Sequence, residues 1–356
     1  MIEKLREADE RFREIDAFLA DPDAVRDREK YREMMKEQKK LSPIIEKYRE
    51  YLDCEKLIAE TGELLAEKND PEFRRLLENE LFRNRNKLAA LEEEIRILLL
   101  PRDEDDEKNV IIEIRAGAGG DEAALFAARL FRMYSMYAEK NGWKTELTSC
   151  SETGLGGMKE VSFLVIGEGA YSRLKFESGV HRVQRVPETE ASGRIHTSTV
   201  TVAVLPEAEE VTVEINPADI TVESIKATGA GGQHVNKTES AVRLTHKPSG
   251  IVIECREERS QFQNRDRAMQ LLRSKLYHQR QTEQREKIAA ERKTQVGTGE
   301  RCERIRTYNF PQGRVTDHRI GLTLYAIDNF LDGDMQELID SLIAFDTAEK
   351  LKKGLV

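Results

Sequence analysis

Asn109–Arg115 reads NVIIEIR, Gly117–Gly120 reads GAGG, and Asp121–Lys140 reads DEAALFAARLFRMYSMYAEK. The first stretch alternates apolar and polar residues, the period-two mark of a half-buried strand. The glycines then give a turn, and the third stretch continues as a helix. Further strand candidates follow at Glu160–Ile166, Val180–Val186, Thr199–Leu205 and Val211–Ile215. Strands interleaved with helices in this way predict a mixed α+β domain.

Upstream, residues 1–105 read as helix. Ile2, Leu5, Ala8, Phe12, Ile15 and Phe18 recur at spacings of three and four, one apolar stripe that ends before Pro22. Ser42–Pro43 has the form of an N-cap followed by Pro at the first helical position, which predicts a helix from 43 to 68. Another is predicted between Pro71 and about Leu99, so two long antiparallel helices joined by a tight turn are expected. Downstream of Pro217 a smaller unit begins, with strand candidates Ile225–Thr228, Ala241–His246 and Ile251–Arg256. A long basic helix follows over about Ser260–Thr294, and Gly297–Gly299 reads as a hinge into a last α+β segment. The expected domains are 1–105, 106–216, 217–298 and 299–356. The last of these is expected to pack with the second.

The chain has 356 residues and a formal net charge of −9. That total argues against a protein that coats nucleic acid by bulk charge. Taken by segment, the balance changes. From Thr221 to Ile320 there are 20 Lys/Arg against 12 Asp/Glu, a surplus of +8, so the rest of the chain carries −17. No apolar run approaches the length of a membrane span. The opening MIEKLREADERF is charged and helical rather than signal-like, so a cytoplasmic setting is expected. Cys54, Cys150, Cys255 and Cys302 lie far apart, and no HxxxH or HExxH pair occurs. Reduced, mostly buried thiols with no metal and no cofactor are therefore expected.

The sharpest motif is Gly229–Ala230–Gly231–Gly232–Gln233–His234–Val235–Asn236. Three glycines in four positions permit positive φ and close backbone approach, so the loop can present amides to an oxyanion or a phosphate. It lacks the Lys–Ser/Thr of a P-loop. The plainer reading is a flexible hairpin tip. With this motif the sequence resembles the bacterial class-I peptide chain release factors, whose hydrolysis motif is Gly-Gly-Gln. The likeness runs through GAGGQHVNKTESAVRLTH (Gly229 to His246), RIRTYNFPQGRVTDHR (Arg304 to Arg319) and Gly117–Met133.

The resemblance implies that Gly231, Gly232 and Gln233 act on the ester of peptidyl-tRNA. A glutamine is neither acid nor base near neutral pH, so Gln233 is not a general base. Its backbone N–H can donate to the oxyanion or the leaving hydroxyl, a contribution of roughly 3–4 kcal/mol, while its side chain positions water and selects the nucleophile. The resemblance further implies N5-methylation of Gln233 by a glutamine methyltransferase. It also implies that ribosomal RNA supplies the rest of the catalytic site, so the chain is not expected to be a stand-alone enzyme.

Codon reading is assigned in the same way. Pro187–Glu188–Thr189 matches the P-x-T tripeptide of type 1 members, where type 2 members carry Ser-Pro-Phe; the resemblance thus points to UAA and UAG. A Thr hydroxyl both donates and accepts, which suits an adenine edge. Gln184 and Thr197 match the residues facing the third base, and His196 the residue stacking between codon bases. Gly119 and Glu122 match the positions that recognise the first U. From the residues alone, Arg115–Glu122 imitates a dinucleotide fingerprint, but Asp121 and Glu122 would repel a pyrophosphate.

The implied fold is α+β and multidomain. It comprises an N-terminal helical hairpin or bundle, a central codon-recognition domain, a small Gly-Gly-Gln domain with a long basic helix, and a C-terminal α+β segment on the central domain. The basic residues of that helix, Arg265 to Lys293, suit phosphate-rich RNA better than a merely solvated face. The implied partners are the ribosome with its messenger RNA stop codon and P-site peptidyl-tRNA, and a recycling GTPase release factor. A monomer is expected. A codon-independent rescue hydrolase would share the glycine loop but need no segment like His181–Ser198, and a plain RNA-binding protein would tolerate changes at Gln233.

Overall fold

The computed structural model describes residues 2–66, 70–101, 103–186, 193–208, 215–225, 240–258, 260–297 and 302–354. The chain divides into two compact units, Met1–Glu104 with Gln336–Val356, and Asp105–Met335.

In the first unit, α1 (Ile2–Leu19) buries Leu5, Phe12 and Ile15, the stripe its periodicity predicts. Helices α2 (Arg28–Ala66) and α3 (Pro71–Leu98) are antiparallel. Lys47 pairs with Glu94 at 3.0 Å, while further along α2 the Cys54 thiol donates to the Asn84 carbonyl at 3.2 Å. Leu5, Tyr48, Tyr51, Cys54, Leu91 and Ile95 form the core between them. Ser42–Pro43 does not begin a helix; Pro43 lies inside α2. Proline removes one intrahelical donor, but contacts to α1 hold the preceding turns helical. Arg11 donates to both Glu37 carboxylate oxygens at 2.8 and 2.9 Å, and Gln38 Nε2 donates to Asp16 at 2.6 Å. Gln336–Lys352, the last helix of the chain, belongs to this unit and packs beside α3.

The second unit is built on an eight-stranded sheet. Its strands are β1 (Val110–Ala116), β2 (Lys144–Glu152), β3 (Met158–Ile166), β4 (Gly179–Arg185), β5 (His196–Pro206), β9 (Arg304–Asn309), β10 (Arg314–Asp317) and β11 (Leu322–Leu324). The order is β11-β10-β9-β4-β5-β1-β3-β2, antiparallel throughout except for β4 against β9. Helix α4 (Asp121–Lys140) covers β1, β3 and β5, with Ile112, Ile114, Phe163 and Val202 fully buried, and the short α5 (Ala170–Leu174) packs on β1 and β5. Strand β5 is buried from Ser198 to Leu205 on both faces, as befits a central strand. Strand β2 went unpredicted because KTELTSCSE has almost no apolar periodicity; it is an edge strand, exposed along nearly all its length.

A second sheet of three antiparallel strands, β6 (Ile220–Ile225), β7 (Ala241–His246) and β8 (Val252–Cys255), packs on α6 (Gln261–Val296). Leu244, Ile253, Cys255, Ala268, Leu272 and Leu276 form that core. The predicted strands at Val211–Ile215 and Ile225–Thr228 fall largely outside the described residues. Cys54 and Cys255 are buried, but Cys150 and Cys302 are exposed, so only half the thiols are buried as expected. The fold class is α+β and multidomain, as the sequence predicts. Among the described residues, no helix is long and apolar enough to cross a membrane, and no cluster of His, Cys, Asp and Glu could hold a metal ion.

Candidate functional site

The glycine turn before α4 is laid onto β5. Gly117 N donates to the Thr199 carbonyl at 2.8 Å, and Thr199 N donates to Ala118 O at 2.8 Å. Ala118 N donates to the Thr199 hydroxyl at 2.9 Å. Gly119 has φ +133°, and a Cβ there would lie 2.3 Å from Ser198 Oγ. Any side chain at 119 would lift the turn off the strand, so the glycine is required by both conformation and space.

That approach makes one wall of an open pocket of about 360 Å3, lined by Gly119, Ile195, His196, Thr197 and Ser198. Thr197 faces Gln184 across the β4–β5 ladder, and His196 faces Arg185. Gln184 is fixed from its other side by the turn after β9. Its carbonyl accepts from Phe310 N at 3.0 Å, and its side-chain oxygen accepts from Asn309 Nδ2 at 3.3 Å. Glu122, in the first turn of α4, is largely buried, and both its oxygens accept from Arg185: Oε1 from Nε, and Oε2 from Nη2 at 3.0 Å. Five of the residues singled out in the sequence, Gly119, Glu122, Gln184, His196 and Thr197, thus gather at one end of the sheet. Pro187, Glu188 and Thr189 lie outside the described residues.

What holds β9 and β10 in place is a charge network whose centre, Arg306, Glu177 and Asp317, is fully buried. Arg306 donates to both oxygens of Glu177 at 2.6 and 2.7 Å and to Asp317 at 3.2 Å. Tyr134 OH donates to Glu177 at 3.0 Å, and Arg319 Nη2 donates to Asp317 at 2.7 Å. Burial alone would raise both carboxyls, but the arginines hold Glu177 and Asp317 below the usual carboxylate range. His181 sits against the same network. Burial, and then the Arg306 charge, push it down to about 4. It is therefore neutral, with Nε2 donating to the Glu177 carbonyl (2.9 Å) and Nδ1 accepting from the Tyr308 hydroxyl (3.2 Å).

Gly231, Gly232 and Gln233 also lie outside the described residues, but the chain on either side of them is anchored to the start of α6. Gln261 Nε2 donates to Ser224 Oγ on β6. Asn264, fully buried, donates to the carbonyls of Ser240 (2.8 Å) and Glu258 (2.9 Å) and accepts from Glu258 N (3.0 Å). The far end of α6 is fastened to the large sheet. Gln295 donates to the Val204 carbonyl and accepts from Val204 N, both at 2.8 Å, and Arg292 donates to Glu113 at 2.6 Å. Gly297, the first residue of the predicted hinge, closes the helix with φ +56°.

Sequence reasoning missed Arg185, Phe310, Ser198 and Asn264. Arg185 stands inside the segment His181–Ser198 and Phe310 inside the quoted stretch Arg304–Arg319, yet an arginine at a strand end looks like any surface cation until the ladder register is known. Only the β4–β5 pairing places it beside Glu122.

Comparison with known proteins agrees over nearly the whole length. The PCRF domain family matches residues 8–202 and the RF-1 domain family residues 209–319. The peptide chain release factor 1 of Acetivibrio thermocellus is 60% identical over 354 residues, covering 99% of this chain and 98% of that protein. Its counterpart in Clostridioides difficile is 56% identical over 351 residues, covering 99% of each. Among solved structures, RF2 of Thermus thermophilus is 33% identical over 96% of each chain, with a TM-score of 0.49. By family matches and full-length relatives alike, this chain belongs to the bacterial class-I peptide chain release factor family, on its release factor 1 side.

Proposed function

We propose that the chain terminates translation by recognising UAA and UAG in the ribosomal A site and promoting hydrolysis of peptidyl-tRNA through Gly231–Gly232–Gln233. The observation that carries this reading is the gathering of Gly119, His196 and Thr197 around one pocket, with Gln184 across the ladder and Glu122 at the adjoining helix start. The start of a helix offers backbone amides, which suit the carbonyl edges of a first-position uracil. His196 stacks on a base splayed from the message. Gln184 and Thr197 each present a donor or an acceptor, so adenine and guanine are both accepted at the third position. Pro187, Glu188 and Thr189 complete the reading of the purine that follows U.

At the ester, water attacks the carbonyl carbon, the bond to the tRNA ribose oxygen breaks, and that oxygen takes up the proton. The Gln233 N–H stabilises the charge that develops, and ribosomal RNA supplies the remainder of the site, so the chain does not act as an enzyme alone. A glutamine methyltransferase modifying Gln233 and a recycling GTPase complete the set of partners. The residues divide between codon reading (106–216, with the strands after 299) and hydrolysis (217–298). The test is peptide release from ribosomes programmed with UAA, UAG, UGA or a sense codon. Rapid release on UAA and UAG alone is expected. Release on sense codons would indicate a codon-independent hydrolase, and release on UGA but not UAG would reverse the specificity.

A further inference from the structure

We infer that Arg185 is a positioning residue for reading the first base, an inference that rests on the codon-reading role proposed for Gly119 and Glu122. Glu122 is largely buried in the first turn of α4 and needs a partner there. Arg185 supplies a planar two-point fork, Nε to one carboxylate oxygen and Nη2 to the other. This arrangement fixes the carboxylate in direction as well as neutralising it. Arg185 is the last residue of β4 and the ladder partner of His196, so the pair fastens the helix start to the strands that carry the pocket.

One further contact fixes the guanidinium itself, and a second fixes the ring it rests on. Arg185 lies over the Phe310 ring at 5.9 Å, and Arg129, two turns along α4, lies over the same ring at 5.5 Å. Phe310 in turn donates its N–H to Gln184. The start of α4 is therefore held from two sides, the glycine turn by Ser198 and Thr199, and Glu122 by Arg185. A free carboxylate at this mouth would also repel the phosphates of an incoming message. Turned into the Arg185 fork, it leaves the helix-start amides as the groups that meet the base. Base discrimination needs those amides held to within about 0.5 Å.

Lysine keeps the charge of Arg185 but loses the fork. Arg185→Lys should raise the factor concentration for half-maximal release at least tenfold on UAA and UAG alike. It should reduce the preference for UAA over CAA by a similar factor and leave the saturating release rate within twofold. Glu122→Gln breaks the same pair from the other side and should give the same first-base defect. Because Arg185 acts through Glu122, the double variant should be no worse than either single one.

The inference is overturned if Arg185→Lys behaves as wild type, if its loss falls on third-base discrimination, if the two variants' effects multiply, or if only the saturating rate falls. Thermal melting accompanies each variant. Should Arg185→Lys fail to fold, Glu122→Gln decides alone, and a normal first-base profile in it overturns the inference. A wild-type factor that released equally on UAA and CAA would instead overturn the codon-reading proposal, and this inference with it.

Discussion

Two arginine–carboxylate clusters lie in the same unit and use the same chemistry for different ends. Arg306 is completely buried, shared between Glu177 and Asp317, and surrounded by Tyr134, Tyr308 and His181. Arg185 has one carboxylate partner among the described residues, retains some exposure, and stands next to a pocket. The first cluster joins the chain after Arg304 to strands formed more than a hundred residues earlier, and so completes the sheet. The second orients a helix start on that finished sheet. The difference teaches that a buried ion network marks where distant segments are joined, whereas a two-residue fork at a rim marks where a side chain must be aimed.

The comparison breaks most readily at Arg306. Arg306→Met strands Glu177 as a buried charge without its main partner, takes one of two arginines from Asp317, and should cost about 3–5 kcal/mol in urea unfolding. Arg185→Lys, which keeps a cation beside Glu122, should cost on the order of 1 kcal/mol. Equal costs would erase the distinction between the two clusters.

A further effect, below that of Arg306→Met, comes from pH. His181 is held at about 4 in the folded chain, against an ordinary value near 6.5. Between those values the unfolded chain binds a proton that the folded chain refuses, so stability falls as pH drops from about 6.5 to 4, by up to roughly 3 kcal/mol. The depressed Glu177 and Asp317 add to this loss at the acid end, since their contribution is present above the unfolded carboxylate pKa and disappears as pH falls through the folded one. His181→Gln should flatten the upper part of that window, near pH 5–6. An unchanged slope there would assign the acid loss to the carboxylates alone.

Much of this was legible in the chain. The alternation of NVIIEIR and the turn at Gly117–Gly120 mark β1 and the start of α4 within one residue, because one strand face and one helix stripe must be buried. The failures have physical causes. Strand β2 carries no apolar period because it is an exposed edge. Pro43 reads as a helix start, yet α1 contacts outweigh its missing donor. The proposed site residues Gly119, Gln184, His196 and Thr197 could be named from motif resemblance. Their support could not: Arg185 and Phe310 reveal themselves only through register and burial, as does Asn264 at the start of α6. The parallel pairing of β4 with β9 is a contact of that kind, invisible to any local pattern.

The proposed function divides labour between a sheet end that would read the codon and a glycine loop that would act on the ester. Gly232→Ala tests it most directly, measured as release kinetics on UAA-programmed ribosomes with binding followed on the same complexes. The predicted result is codon-dependent binding within a few-fold of wild type, with the saturating release rate lowered about 10²–10³-fold, the scale for losing a preorganised oxyanion donor. Full release by Gly232→Ala, or a loss of codon-dependent binding with the rate intact, would contradict the account.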